Sequence, residues 1–312
     1  MLVFAAWLTI RHRWLVAWSA VLLMAACTSA PPAESGAATS SPWHVTVLLP
    51  TTSLRGLSAL GGRVAWASGS QGSVWRTVDG GTTWTSCGPQ DAAALDFRSI
   101  HAFDADTAVV ANAGSPARIY RTEDGGNQWQ RVWENAAPEA FLDGIAFADA
   151  SHGMVFGDPD AHGLVLLTSA DAGRTWRRLP PANLPRPREG EAAFAASNTA
   201  LVAQPSATFC QVTGGGAARC LRSDDHGLRW SSVELPLAQG NPSQGAFAVG
   251  FGLGASMVAV GGDYREPLHR AGTAAFSSDG GRTWSAADAL GFRCGLAWLP
   301  RELCWLADRK ST

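Results

Sequence analysis

Short apolar runs alternate along the chain with breaks rich in glycine, aspartate and proline, and the alternation itself repeats. Each cycle reads as a short strand, a turn, a β-rich strand, a third strand leading into a fixed polar phrase, and a fourth strand opening on a tryptophan. The first cycle predicts strands at 54–60, 63–67, 73–77 and 84–87, and the second at 97–103, 107–111, 118–122 and 129–133. The third predicts 141–147, 153–156, 164–169 and 176–179, and the fourth 192–197, 199–203, 218–223 and 230–233. The fifth predicts 245–251, 257–260, 274–277 and 284–287. A sixth cycle offers only 292–299 and 302–306, while an unpaired strand at 43–49 precedes the first. No segment sustains a helical period, so the chain reads as all-β.

The polar phrase is Ser/Thr-x-Asp-x-Gly-x-x-Trp, and it occurs at 77–84, 122–129, 169–176, 223–230 and 277–284. Its aspartates are Asp79, Asp124, Asp171, Asp225 and Asp279, spaced 45, 47, 54 and 54 residues apart. A fixed phrase at such a period marks a repeat architecture. The phrase is a turn by its chemistry: the Asp accepts backbone N–H groups just after it. The Gly supplies a positive φ, and the Trp covers the turn with a large apolar body. The five aspartates are therefore read as structural, not catalytic. Four-stranded units stacked radially make a propeller, an arrangement that protects sheet edges.

The phrase resembles the Asp-box of bacterial neuraminidase-type repeats, in which each box joins the third and fourth strands of a β-propeller blade. The fold expected is thus an all-β propeller of six blades, with seven as the alternative. Its last blade is incomplete and closed by the N-terminal strand at 43–49.

Ahead of the repeats, Arg11, His12 and Arg13 precede a thirteen-residue apolar run from Trp14 to Ala26. That length suits a signal-peptide core and is short for a membrane span. Met24-Ala25-Ala26-Cys27 resembles a bacterial lipobox, with Cys27 the lipidated residue. The organisation expected is a lipoprotein-type signal peptide at 1–26, a Pro/Ala/Ser/Gly tether at 27–42 and a propeller at 43–312. The protein would be lipid-anchored and periplasm-facing, or secreted if cleavage leaves no lipid. The net charge of −2 suggests neither nucleic acid nor an anionic membrane surface as partner. Lys310 is the only lysine, so an arginine is informative by position and not by presence.

Five further cysteines suit an oxidising compartment. Cys210 and Cys220 would clamp the loop 211–219 containing Gly214-Gly215-Gly216, Cys294 and Cys304 would bridge a hairpin, and Cys87 is left over. No cysteine has a zinc-spaced partner, so neither metal nor cofactor is expected.

In a blade, the starts of the first strands and the loops between second and third strands lie opposite the boxes. The strand starts are Arg55-Gly-Leu, Arg98-Ser-Ile, Asp143-Gly-Ile, Glu191-Ala-Ala, Gln244-Gly-Ala and Arg293-Cys-Gly. The loops add Asn112, Asp158, Asp160, Gln204, Asp263, Tyr264, Arg265 and Glu266. The candidate ligand or partner face is therefore Arg55, Arg98, Asp143, Asp158, Glu191, Asp263, Tyr264 and Arg293. Arg55, Arg98 and Arg293 should share one arc, and like charges held together need an anion. Asp263 or Asp158 would supply it internally. A partner's carboxylate, the expectation preferred here, would supply it externally.

Sialidases share the box, and the similarity implies an arginine triad with a Tyr nucleophile and a Glu partner. Tyr264 and Glu191 are the weak candidates for those roles, but the signature of the first sialidase blade is absent. The phrases Arg55-Gly-Leu-Ser, Trp66-Ala-Ser-Gly, Asp96-Phe-Arg98, Arg118-Ile-Tyr-Arg-Thr and Gly261-Gly-Asp-Tyr264 are similar to photosystem II stability/assembly factor-like proteins. That resemblance spans about residues 43–284. It implies a non-enzymatic exported scaffold that binds a protein, such as a membrane complex. A sialidase-like glycoside hydrolase is the alternative.

Overall fold

The computed structural model describes residues 6–8, 47–48, 51–205, 207–287, 291–300 and 303–308. Cys27, the tether, almost all of the signal segment and most of the 43–49 run lie outside these residues. Val47 and Leu48 are described and are not in a strand.

No α-helix occurs among the described residues, and the strands form six antiparallel sheets. The first sheet is Leu54–Leu60, Val64–Gly69, Val74–Thr77 and Thr85–Ser86, in chain order. The second is Asp96–Ala102, Ala108–Ala113, Ala117–Thr122 and Gln130–Asn135, and the third is Leu142–Phe147, Gly153–Asp160, Gly163–Ser169 and Arg177–Arg178. The fourth is Leu201–Gln204, Thr208–Val212, Arg219–Ser223 and Ser231–Glu234. The fifth is Gln244–Phe251, Met257–Asp263, Ala274–Ser277 and Ser285–Ala287, with Glu191–Ala192 and Gly214–Gly215 added on its first-strand side. In the sixth, Gly295–Leu299 pairs Cys304–Asp308, which also pairs Ala6–Leu8.

The core lies between successive sheets. Five apolar clusters are each filled from two neighbours: first with second, second with third, and so on to the sixth. The pleat explains how one strand serves two clusters. Successive side chains point to opposite faces. Val110 therefore packs toward Trp66 and Phe97, while Val109 and Ala111 pack toward Ile145 and Val155. Both faces are covered, so strands such as Ala108–Ala113 read as continuous apolar runs.

Three strand expectations are corrected. Each fourth strand begins one residue after the Trp, because the indole closes the turn and its backbone has not yet joined the ladder. In the fourth unit, 192–197 is not the first strand; only Glu191–Ala192 is extended, and it pairs Gly214–Gly215 beside the fifth sheet. The first strand is Leu201–Gln204, and the second, Thr208–Val212, runs into the start of the expected loop at 211–219. Cys210 and Cys220 do form a disulfide, but between neighbouring strands. Bridging Cys294 to Cys304 is excluded by register. Cys304 faces Leu299, whereas Cys294 lies at the other end of the hairpin and donates its N–H to Asp308 O. About five residues of strand, roughly 17 Å, separate them, against the 4.4–6.8 Å that a disulfide spans.

Candidate functional site

The repeated turn and the candidate site lie at opposite ends of each sheet, because the third strand runs from one to the other. At the turn end, Ser/Thr is the hub. Thr122 Oγ1 accepts the Gly126 N–H at 3.1 Å and donates to Asp124 Oδ1 at 2.9 Å. Asp124 Oδ1 in turn accepts the Gln128 N–H at 2.9 Å. The same geometry recurs at Asp79, Asp171, Asp225 and Asp279. The glycine has φ between 79° and 88° in all five copies.

At the other end, one backbone device recurs. The register of first against second strand skips a residue between Leu54 and Gly56, Phe97 and Ser99, Leu142 and Gly144, and Ala246 and Ala248. The skipped residues are Arg55, Arg98, Asp143 and Phe247. A bulge leaves one residue unpaired in the ladder and re-aims its side chain. The strand-start pattern thus identified three of the four. In the fifth sheet the equivalent residue is Phe247 and not Gln244, whose amide donates to Asp263 Oδ2 at 3.2 Å.

Arg55, Asp96 and Arg98 form a charged group at this end. Arg98 Nε donates to Asp96 Oδ2 at 2.8 Å, and the guanidinium carbon lies 5.9 Å from the Phe141 ring centroid. Arg55 is half-buried, and its Nε is enclosed with no hydrogen-bond partner. Burial first, and then the nearby Arg98 charge, lower its pKa, and Asp96 and Cys294 offset this only in part. The internal anion of the arc is therefore Asp96, not Asp263 or Asp158. Two residues before Arg98 in an extended strand, Asp96 was legible as a neighbour on the same face.

Asp143 is fully buried, and neither carboxylate oxygen makes a well-formed hydrogen bond. Burial, reinforced by the Asp158 charge, pushes its pKa well above the ordinary carboxylate value. Arg98 and the Ala195 amide counter this only weakly. Asp158 accepts the Ala193 N–H at 2.9 Å and is also raised by burial.

The segment misread as a strand runs across this group. Phe194 stacks on Phe247 with centroids 3.8 Å apart, and Ser197 Oγ donates to Cys294 O at 2.6 Å. Asn198 Nδ2 donates to Ile100 O at 2.8 Å, and Thr199 O accepts the Val249 N–H at 2.9 Å. One irregular stretch thus meets the second, third and fifth sheets and the start of the sixth. Beside it, Phe292 and the exposed Tyr264 meet Phe247 edge-on, giving an aromatic group at the same end.

The remaining candidates are otherwise engaged. Glu191 is buried and chelated by Arg219, with Nε to Oε1 at 2.8 Å and Nη2 to Oε2 at 2.5 Å. It also accepts from Thr213 Oγ1 and Arg188 N. With both oxygens engaged, it is not free to activate Tyr264. Asp263 accepts the Arg265 N–H at 2.8 Å, and Arg293 Nη1 donates to Phe292 O at 2.7 Å. Asn112 bonds the carbonyls of its own turn, and Asp160 takes both Nη atoms of Arg178.

No protein-family model matches the chain, and no curated protein does so either. Solved structures resemble it to different degrees. A structure of YCF48 bound to D1 peptide superposes with a TM-score of 0.56 at 16% identity, over 86% of this chain and 81% of that one. YCF48 from Cyanidioschyzon merolae gives 0.45 at 13% identity, over 83% and 97%. The GH74 xyloglucanase from Xanthomonas campestris gives 0.49 at 16% identity, over 76% and 38%. The expected resemblance to photosystem II assembly factors is thus met at the level of fold, in YCF48, with four of the six sheets four-stranded and antiparallel.

Proposed function

We propose that this protein is a non-enzymatic propeller scaffold of six blades, anchored through Cys27 on the outer side of a bacterial membrane. It binds a carboxylate-bearing segment of a protein partner at the bulged end of its first and second sheets. The observation that carries the reading is Arg55, a half-buried guanidinium with no hydrogen bond or ion pair to any described residue, beside an arginine already engaged by Asp96. A guanidinium fork suits a carboxylate bidentately. Exposed Leu54 and Leu57 flank Arg55 on the same strand and offer apolar surface for a peptide. The fold-level likeness to YCF48, a protein solved with a D1 peptide, agrees with this class of partner.

Fluorescence anisotropy with labelled peptides tests the reading. Peptides ending in a free carboxylate should bind, and their C-terminal amides should bind more weakly. Arg55→Ala should weaken binding about tenfold to hundredfold, the scale of a charge-assisted hydrogen bond, with melting temperature unchanged. Equal binding of acid and amide, or an Arg55→Ala protein of undiminished affinity, would sink the proposal. For the anchor, labelled palmitate should enter the protein and Cys27→Ser should abolish its entry.

A further inference from the structure

At the repeated-turn end, arginines clamp successive sheets. The residue before the Ser/Thr hub is Arg76, Arg121, Thr168, Arg222 and Phe276 in the five copies. Arg76 pairs with Asp106 of the second sheet's first turn at 3.3 Å. Arg121 Nε donates to Ala172 O in the third sheet's turn at 2.8 Å, and Glu123 joins Arg121 to Arg174. Arg222 donates to Gly280 O in the fifth sheet's turn, and Asp224 joins Arg222 to Arg282. Between the third and fourth sheets the equivalent residue is Thr168, which donates within its own sheet to Arg177 O.

Asp149, His152 and His226 meet at that same junction. One ligand atom from each lies within 4.8 Å of the other two. Asp149 Oδ1 is fixed by Ser151 N, Ser151 Oγ and His152 N, at 2.7, 2.8 and 2.7 Å. Its Oδ2 faces both imidazoles, accepting from His152 Nδ1 at 2.8 Å and lying 3.9 Å from His226 Nδ1. The two rings are 4.6 Å apart. Burial alone would raise the Asp149 pKa, but the hydrogen bonds from the 151–152 turn prevail and hold it ionised. His226 occupies a turn position filled by Gly80, Gly125, Ala172 and Gly280 in the other copies. It does so at φ 58°, a conformation that side chains resist.

We propose that Asp149, His152 and His226 bind a zinc ion that joins the third and fourth sheets where the arginine clamp is missing. Two imidazoles and a carboxylate are a donor set zinc accepts, with the fourth tetrahedral position left to water or a partner's side chain. Metal–ligand bonds of about 2.0–2.1 Å place tetrahedral donors about 3.4 Å apart. The three ligand atoms already lie within 4.8 Å of one another, so a modest closure would bring them to that separation. The third and fourth sheets would then be linked by coordination, as the second and third are by Arg121.

The test is titration of the full chain, without a polyhistidine tag, with zinc chloride. Calorimetry should give one equivalent bound per chain, and the melting temperature should rise with zinc and fall back with chelator. His152→Ala should lose both effects. His226→Gly is the decisive variant: it relieves the positive φ, so its metal-free melting temperature should match or exceed that of the parent, while the zinc-dependent rise disappears. A parent chain that takes up no zinc, or a His226→Gly protein that keeps the full zinc response, would overturn the proposal.

Discussion

Asp143 is a fully buried carboxyl group with the Asp158 charge beside it, and its position at a bulge makes it a test of the site's electrostatics. Its folded-state pKa is raised, so its contribution to stability is fully present below about pH 4, the unfolded value. That contribution is lost progressively as pH rises above the unfolded value, so at neutral pH the fold carries a cost for this buried acid. Asp143→Asn should therefore raise the melting temperature at pH 7, and the gain should shrink toward zero near pH 4. A lower melting temperature at pH 7 would mean that the carboxylate is ionised and held by Arg98. The same substitution should weaken peptide binding if Asp143 sets the Arg98 orientation, since site residues are often costly to stability. Residues of this site were legible where charge marks a strand start, as at Arg55, Arg98 and Asp143. Phe247 occupies the same bulge but was not, because an apolar residue before an apolar strand carries no contrast. His152 and His226 escaped for another reason: they are far apart in sequence, and only the packing of two sheets brings them together.

The repeated turn is the element whose every position has a chemical reason, and so it was the most legible part of the chain. The structure adds that the Ser/Thr hydroxyl, and not the aspartate alone, organises it. Thr122 is buried, and its Oγ1 serves the Gly126 N–H. Thr122→Val removes that acceptor and should cost about 1–3 kcal/mol, the penalty of an unpaired buried donor, read by urea denaturation. An unchanged midpoint would assign the turn's order to backbone conformation alone. The aspartates give an acid signature. Backbone and side-chain hydrogen bonds from Thr83 lead in lowering Asp79 to about 2. A depressed carboxylate contributes stability that is present above about pH 4 and lost as pH falls through the folded value. Acid unfolding should accordingly steepen below pH 4, and Asp79→Asn should blunt it. The fourth unit was misread at the element level because its apolar run 193–197 has the composition of a strand. Its backbone instead crosses to other sheets, and no local period records such a partner.

For the whole molecule, the packing of each sheet against the next follows from strands buried on both faces, and this much was readable from continuous apolar runs between turns. How the last unit is completed was not. The sequence reading assigned its outer strand to 43–49, whereas the described edge of Cys304–Asp308 is paired by Ala6–Leu8. Under the lipoprotein cleavage proposed above, Ala6–Leu8 would be removed and the N–H and C=O groups of Cys304–Asp308 left unpaired on one side, an edge that recruits any available strand. Residues 43–49 alternate Trp43, Val45, Val47 and Leu49 with His44, Thr46 and Leu48, close to the period-two pattern of a half-buried strand. They are also the last apolar run ahead of the first sheet. A chain spanning 27–312 should therefore melt at the temperature of the full chain, the 43–49 strand replacing Ala6–Leu8. A chain spanning 50–312 has neither strand and should melt lower, exchange the Trp305–Ala307 amides faster and aggregate through the open edge. Equal melting temperatures for 27–312 and 50–312 would exclude residues 43–49 from the last sheet. A 27–312 chain markedly less stable than the full one would show that residues 43–49 do not replace Ala6–Leu8 at this edge.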